Sequence, residues 1–427
     1  MTHPIIEGSG SYGIVYSTPR LPYLSKYNFS NGIDEIDENI EIENLEDDSY
    51  LKNEVSKVFY DDYDYLMEIK KYRKLLFENK LECDYFVIPL NYGRIDLDYI
   101  FTNINLFNYK SNNNKSYKKI YLTSKYQITF LKGIKLKNIE LYDKIENIIN
   151  IIKYLNNNNY IFDDIKIKNL IKIENKIKII DFCSLLKISD LNLITFNKSF
   201  LSTFYYYIYN PLLNTLLFYY LSKKENDIIN MNYLIDYLEY EEEKKERNSN
   251  NFYLNDMIRK VFYYLDNKLN TINFSCITIY NNDLSCITIY NNDKLETNIE
   301  LKIKKILQSI FFYLYKNKKE KNNIYELNLK NLIKYYDSLY NNVDDIIEII
   351  SKKINMYSFG IIFLETIYKF IIKNTENDIK NNINIINKLF ILFAQFSLTI
   401  FNVDTNIYLV NNNIEDIIKL FFNSDSF

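Results

Sequence analysis

At 427 residues, 47% of them hydrophobic, the chain can fill two or three domains of about 150 residues around a large apolar core. Its 52 basic and 55 acidic side chains give a net charge of −3, which argues against a general binder of nucleic-acid backbones. A single histidine, His3, excludes multi-histidine metal sites and, His3 aside, serine–histidine or cysteine–histidine nucleophiles. Four cysteines, Cys83, Cys183, Cys276 and Cys286, match neither a disulfide framework nor a zinc spacing. The opening M-T-H-P-I-I-E-G has no charged-then-apolar leader, so no signal peptide is expected. The most apolar runs, 358–366 and 389–401, fall short of the roughly 18 residues that cross a bilayer. The expectation is a soluble, reduced, cytoplasmic protein with no membrane or nucleic-acid partner. Its chemistry must rest on carboxylates, lysine, asparagine and backbone.

Residues 5–16 read as a strand, a glycine-rich turn and a second strand. In Gly8-Ser9-Gly10-Ser11-Tyr12-Gly13-Ile14-Val15, glycines at spacings of two and three let backbone N–H groups approach phosphate oxygens with no Cβ in the way. A dinucleotide fingerprint would need a helix next, but Ile14-Val15-Tyr16 continues as strand and Pro19 blocks a helix. An ordinary glycine hairpin is the competing reading of this stretch alone. Nine of the fifteen positions 34–48 are Asp or Glu, and so dense a run repels itself into a solvated loop across about 31–50. Between 51 and 133 short apolar runs alternate with polar stretches, among them the Asn/Lys/Ser-rich loop 103–119. A helix is plausible over 61–77.

Leu141, Ile145, Ile148, Ile149, Ile152 and Leu155 follow helical spacing, and the asparagines at 156–159 end that helix. Two β-rich runs follow, 169–173 and 176–180, joined by Glu174-Asn175 as a tight turn. Residues 212–350 are less periodic and contain a tandem duplication: S-C-I-T-I-Y-N-N-D at 275–283 recurs at 285–293. Two copies are too few for a stacked solenoid, so 275–294 reads as a local strand-turn-strand within an insertion. An apolar helix is expected over 356–372.

Asp164-Ile165-Lys166-Ile167-Lys168-Asn169 follows the amphipathic helix, and Asp181-Phe182-Cys183 follows the hairpin. Phosphoryl transfer needs a carboxylate to accept the proton of the attacking hydroxyl, oxygen donors to hold Mg²⁺, and a lysine to offset charge on the moving group. Asp164, the Asn169/Asp181 pair and Lys166 supply these in one helix-loop-hairpin unit. Taken singly, each would pass for a solvated loop charge.

The glycine turn at 8–15, D-I-K-I-K-N at 164–169 and D-F-C at 181–183 resemble the glycine loop, catalytic loop and metal-binding loop of eukaryotic-type protein kinases. N-M-Y-S-F-G at 355–360 resembles the start of their central C-lobe helix. The composition, the insertions and the Tyr-rich stretch 205–211 are similar in style to serine/threonine kinases of giant DNA viruses. The resemblance implies an α+β, bilobal protein-kinase fold: a small β-rich N-lobe with one helix at 1–133, interrupted by the acidic loop, and a larger, mainly helical C-lobe at 134–427, interrupted at about 212–350. It implies ATP and Mg²⁺ as cofactors, with Gly8, Ser9, Gly10, Ser11, Tyr12 and Gly13 over the phosphates and Val15 and Val55 against the purine. Lys57 becomes the lysine that grips the α- and β-phosphates; an edge-strand surface lysine is the alternative. Glu68 becomes the glutamate that pairs with it, with Asp61 and Asp64 as competitors. Asp164 becomes the base, Lys166 its partner, and Asn169 and Asp181 the metal ligands. Lys166 points to protein Ser/Thr as the acceptor. In a viral setting the location would be host cytoplasm or virion, and the oligomeric state is open.

Several positions depart from the family. Phe162-Asp163 stands where His-Arg is usual, and without that arginine no activation-loop phosphate is expected to be needed. Cys183 replaces a glycine, with a small buried thiol weighed against an oxidation sensor. The Glu–Arg pair of the family's C-lobe lacks both members, since Pro211-Leu212-Leu213 has no Glu and no arginine follows Arg259. Asn355 replaces an aspartate that ties the helix to the catalytic loop. A non-catalytic kinase-like scaffold and a small-molecule phosphotransferase are the alternatives to an active protein kinase. The acidic loop is expected to be a solvated insertion rather than a substrate-holding or autoinhibitory element.

Overall fold

A computed structural model of the chain describes residues 5–9, 13–17, 23–28, 54–82, 84–95, 126–136, 144–162, 164–196, 211–226, 278–280, 286–288, 329–330, 332–382, 385–386, 389, 392–393 and 396. Helix and strand are mixed, and the sheets are small and antiparallel. The chain forms two compact units, Met1–Lys135 with Leu170–Cys183, and Leu136–Asn169 with Ser184–Phe427.

The first unit holds β1 (Ile5–Ser9), β2 (Gly13–Ser17), β3 (Tyr23–Asn28), β4 (Glu54–Phe59), β5 (Pro89–Ile95) and β6 (Tyr126–Leu131), in the order β1-β2-β4-β6-β5-β3. β4 lies between β2 and β6, so its residues alternate between two faces. Ser56 and Val58 turn one way, Val55 and Lys57 the other. After β4, Asp61 caps helix α1 (Asp62–Arg73) by accepting the Asp64 N–H at 2.8 Å. Tyr65, Glu68, Ile69 and Tyr72 recur at spacings of three and four and form its buried stripe. A π-helical turn, Lys74–Glu78, ends it.

A second sheet of this unit comprises β7 (Ile134–Lys135), β9 (Leu170–Ile173) and β10 (Lys176–Ile179), in the order β10-β9-β7. Glu174 and Asn175 both adopt left-handed backbone (φ 48° and 70°), the mirror-type two-residue turn whose twist matches an antiparallel hairpin. Backbone bonds from Val87 N to Ile179 O and from Ile179 N to Tyr85 O, each 2.9 Å, fix the end of β10. Gly133 leaves room for Ile171: a Cβ there would stand 2.3 Å from Ile171 Cδ1. Hence the hairpin 170–183, expected with the second domain, groups with the first unit.

The second unit is mainly helical. Helix α2 (Ile145–Asn157) buries Ile145, Ile148, Ile149, Ile152 and Leu155, as their spacing predicts. It stops where Asn159 turns to φ 53°. The short strand β8 (Tyr160–Ile161) then pairs with β11 (Leu186–Lys187). A short helix, α3 (Leu193–Phe196), precedes α4 (Pro211–Lys224). The hairpin of β12 (Thr278–Tyr280) and β13 (Cys286–Thr288) pairs the two copies of the duplication, with Ile279 opposite Ile287. Helix α5 (Val343–Lys373) spans 31 residues and is capped by Asn342, which accepts the Asp344 N–H at 3.0 Å. Helix α6 (Glu376–Asn381) follows with a capping box from Thr375 and Asp378. Among the described residues no helix is long and apolar enough to cross a membrane.

Two expectations for this unit are corrected. The apolar helix expected over 356–372 begins at Val343, because Ile346, Ile347, Ile350 and Ile354 continue its buried face toward the N-terminus. Residues 211–224, assigned almost wholly to an insertion, form a helix packed on α5, with Leu213, Leu216, Leu217, Tyr220 and Leu221 inaccessible. The stretch is apolar on all sides, so no amphipathic period marked it. The acidic loop 31–50, the loop 103–119 and the Tyr-rich residues 205–210 lie outside the described residues.

Candidate active site

The first unit gathers three of the predicted site residues. Lys57 sits on the central strand β4, with its side chain only 12% exposed, so the edge-strand alternative is excluded. Its Nζ donates to both carboxylate oxygens of Glu68 at 2.7 Å and to Oδ1 of Asp181 at 3.0 Å. Neither Asp61 nor Asp64 takes Glu68's place: Asp61 caps α1 and Glu68 faces inward from its middle. Burial alone would pull the Lys57 ammonium downward in pKa. The charges of Asp181 and Glu68 outweigh it and hold Lys57 well above the ordinary lysine range.

Asp181 adopts a left-handed backbone, φ 55°, which Asp tolerates better than most residues because its short side chain can bond locally. Its side chain remains 54% exposed. The next residue, Phe182, is fully buried, with its ring 5.1 Å from that of Tyr72 and 4.9 Å from that of Phe86. Asp181 is therefore held at its root by a ring anchored in the core.

Val15 is half-buried and lies directly opposite Lys57 in the β2/β4 register, so both face the same side of the sheet. Val55, two residues from Lys57, shares that face. Gly8 and Ser9 close β1 and Gly13 opens β2, and the two strands pair antiparallel as expected. Gly10, Ser11 and Tyr12 lie outside the described residues.

The second unit gathers Asp164, Lys166 and Asn169. Lys166 Nζ donates to Asp164 Oδ1 at 2.7 Å and Oδ2 at 2.8 Å. Asn169 Nδ2 donates to Asp164 Oδ2 at 2.8 Å and to the Asp164 carbonyl at 3.0 Å. A 3₁₀ turn, Ile167–Asn169, brings Asn169 back onto Asp164. The carboxylate is thus clasped by one ammonium and one amide, both from the same short loop. Because Asn169 spends its Nδ2 on Asp164, its carbonyl Oδ1 is the atom left for another partner. That oxygen and the open carboxylate of Asp181 are hard donors of the kind Mg²⁺ prefers, so both residues fit the ion.

The loop is fixed from below by Asn355, fully buried on α5. Its Oδ1 accepts the Phe162 N–H at 3.0 Å, while its Nδ2 donates to the Tyr160 carbonyl at 2.8 Å and to Asn156 Oδ1 at 3.1 Å. Phe162 is fully buried, and Asp163 lies outside the described residues.

Sequence reasoning missed Tyr72. It is buried on the same stripe of α1 as Glu68, with its ring 5.1 Å from that of Phe182, the residue after Asp181. The one signal available was its position four residues after Glu68, on the same face of α1.

No family model matches the chain, and no curated protein is similar to it in sequence.

Proposed function

We propose that the chain is an ATP-dependent serine/threonine protein kinase with the bilobal fold of the eukaryotic-type superfamily. The observation that carries the reading is the ion-pair set of Lys57, Glu68 and Asp181. An ammonium on a central strand, gripped by both oxygens of a buried carboxylate, serves no need of the sheet, since replacing such a pair by apolar groups is often neutral or stabilising. It does suit a cation held ready for phosphate oxygens.

Bound magnesium-ATP supplies the transferable γ-phosphoryl group and a divalent charge to offset it. Lys57 holds the α- and β-phosphate oxygens, and Glu68 keeps its ammonium aimed. Backbone N–H groups of residues 8–13 cradle phosphate, with Val15 and Val55 offering apolar surface to the purine. Asp181 and Asn169 would each supply an oxygen donor to Mg²⁺. Asp164 orients the acceptor hydroxyl and takes its proton as the hydroxyl oxygen bonds to phosphorus and ADP leaves. Lys166, already on both Asp164 oxygens, offsets negative charge on the phosphoryl in transit.

The test is transfer of label from γ-labelled ATP to a protein substrate. Wild type is expected to label serine or threonine, and Asp164→Asn to lose transfer while still binding nucleotide. Equal labelling by both would remove Asp164 as the base. Nucleotide binding with no transfer by wild type would leave a non-catalytic scaffold.

A further inference from the structure

Helix α1 carries large apolar side chains on both faces. Tyr65, Ile69 and Tyr72 are buried, with the Tyr65 ring against Phe59 of β4 and Tyr126 of β6. On the opposite face Tyr63 and Leu66 are 70% and 60% exposed, and Met67 and Phe77 are open to solvent as well. Tyr63, Leu66, Met67, Lys70 and Lys74 recur at spacings of three and four, so they form one continuous surface. Lys70 and Lys71, in the last turn, are exposed, and among the described residues neither has an ion-pair partner. Lys70 and Lys74 stand four apart, a spacing at which like charges repel along a helix. The acids of α1 do not offset this charge, since Asp62 and Asp64 lie in its first turn and Glu68 is bonded to Lys57. The outward face therefore lacks both an apolar cover and a counter-charge.

Residues 34–48 have both to give. Ile36, Ile40, Ile42 and Leu45 are set among nine Asp and Glu residues, with no Lys or Arg in the run. The run belongs to the stretch 29–53, between the end of β3 at Asn28 and the start of β4 at Glu54. Glu54 is three residues from Lys57, whose ammonium meets Glu68 in the middle of α1, so about 10 Å of β4 separates that anchor from the helix. The far side of a helix lies about another 10 Å away, whereas residues 44–53 can span about 33 Å when extended. We infer that the outward face of α1 is the docking surface for this chain's own segment 34–48, whose isoleucines and leucine cover Tyr63, Leu66 and Met67 while its carboxylates neutralise Lys70 and Lys71. The repulsion that by itself would keep the acidic run solvated is relieved by these cations. None of these side chains is assigned to nucleotide or phosphate, so the contact is independent of the kinase reading.

The test is carbodiimide coupling of the full chain, which joins a lysine amine to a touching carboxylate as an amide with loss of water, followed by peptide mapping. Wild type should link Lys70 or Lys71 to acids of 34–48 within one chain. Leu66→Gln with Met67→Gln keeps every charge and, lying on the exposed face, spares the core. It should cut those links by about fivefold or more. Links unchanged in that variant would mean only a chance meeting of opposite charges and would overturn the docking. Backbone hydrogen exchange across residues 62–73 is the second readout. Converting the nine acids to their amides should quicken it about tenfold, and Lys70→Gln with Lys71→Gln should do likewise. The two sets of changes together should quicken it no further, because both remove one contact. Exchange indifferent to the loss of the acids would refute the contact. Links found only between isotope-labelled and unlabelled chains would place a second copy on α1, and no link at all to Lys70 or Lys71 would leave the face to another protein. Either result overturns the assignment to 34–48.

Discussion

Asn355 and Phe162 are 193 positions apart, yet the backbone N–H of one donates to the side-chain oxygen of the other at 3.0 Å in a fully buried setting. The bond fixes the start of the loop that carries Asp164, Lys166 and Asn169. The direction of the remaining bonds explains why an amide occupies this position. Asn355 Nδ2 donates to two acceptors, the Tyr160 carbonyl and Asn156 Oδ1. A carboxylate could accept from Phe162 but would face both acceptors with nothing to donate.

Asn355→Asp is therefore expected to destabilise the fold by about 3 kcal/mol at neutral pH. The sign of its pH dependence follows. The buried acid prefers to be protonated, so its folded-state pKa lies above the unfolded value near ~3.9. The stability this proton confers is present at low pH and is lost as pH rises through the folded pKa. Urea midpoints at pH 4 to 8 should show the gap to wild type narrowing toward acid; a constant gap would mean that the amide's donors do not matter.

Lys57 tests the first unit in the same way. Lys57→Met leaves Glu68, whose side chain is 8% exposed, without its ammonium. Stranding a buried carboxylate should cost about 3–5 kcal/mol at neutral pH, a cost that shrinks as pH falls and Glu68 takes up a proton. If the lysine grips phosphates, kcat/KM for ATP should also drop by about 10²-fold or more. Stability without that loss, or that loss without a change in stability, would separate the two roles.

The element pattern was legible wherever one face of an element is buried and the other wet. The isoleucines of α2 and the β9–β10 hairpin with its Glu174-Asn175 turn follow directly from spacing and turn chemistry. The Lys57–Glu68 pair was expected only through the family resemblance, with Asp61 and Asp64 as competitors, because spacing alone does not say which acid of the next helix faces inward. What stayed hidden has physical causes. Helix α4 is buried nearly all round, and an apolar run without a period looks the same as an aperiodic one. Tyr72 was hidden by numbers: among 42 tyrosines, one more carries no signal until its ring is seen packed on Phe182 from the stripe that also holds Glu68.

On the proposed kinase reading, Asp163 stands where that family has the arginine that receives an activation-loop phosphate. A carboxylate there would repel a phosphate rather than bind it. Protein treated with a phosphatase, which is then removed, should transfer γ-phosphate as fast as untreated protein. Abolished turnover after such treatment would show that a phosphorylated residue is needed after all.

Lys353 offers a test independent of any activity. It is 4% exposed on α5, with its ammonium 5.4 Å from the centre of the Tyr336 ring. Burial lowers its pKa to about 8, against 10.5 for an ordinary lysine. The unfolded chain then binds more protons than the folded one between those two values, so Lys353 contributes stability that grows as pH rises from about 8. Tyr336 does not interfere, because burial pushes its hydroxyl upward and out of that window. Lys353→Met should therefore be more stable than wild type at pH 7. Wild type should close the gap by about 1 kcal/mol per pH unit once the pH is above 8. Taking the difference between the two proteins cancels every other titrating group. Urea unfolding at pH 7, 8, 9 and 9.5 would sink the idea if the two stability curves ran parallel.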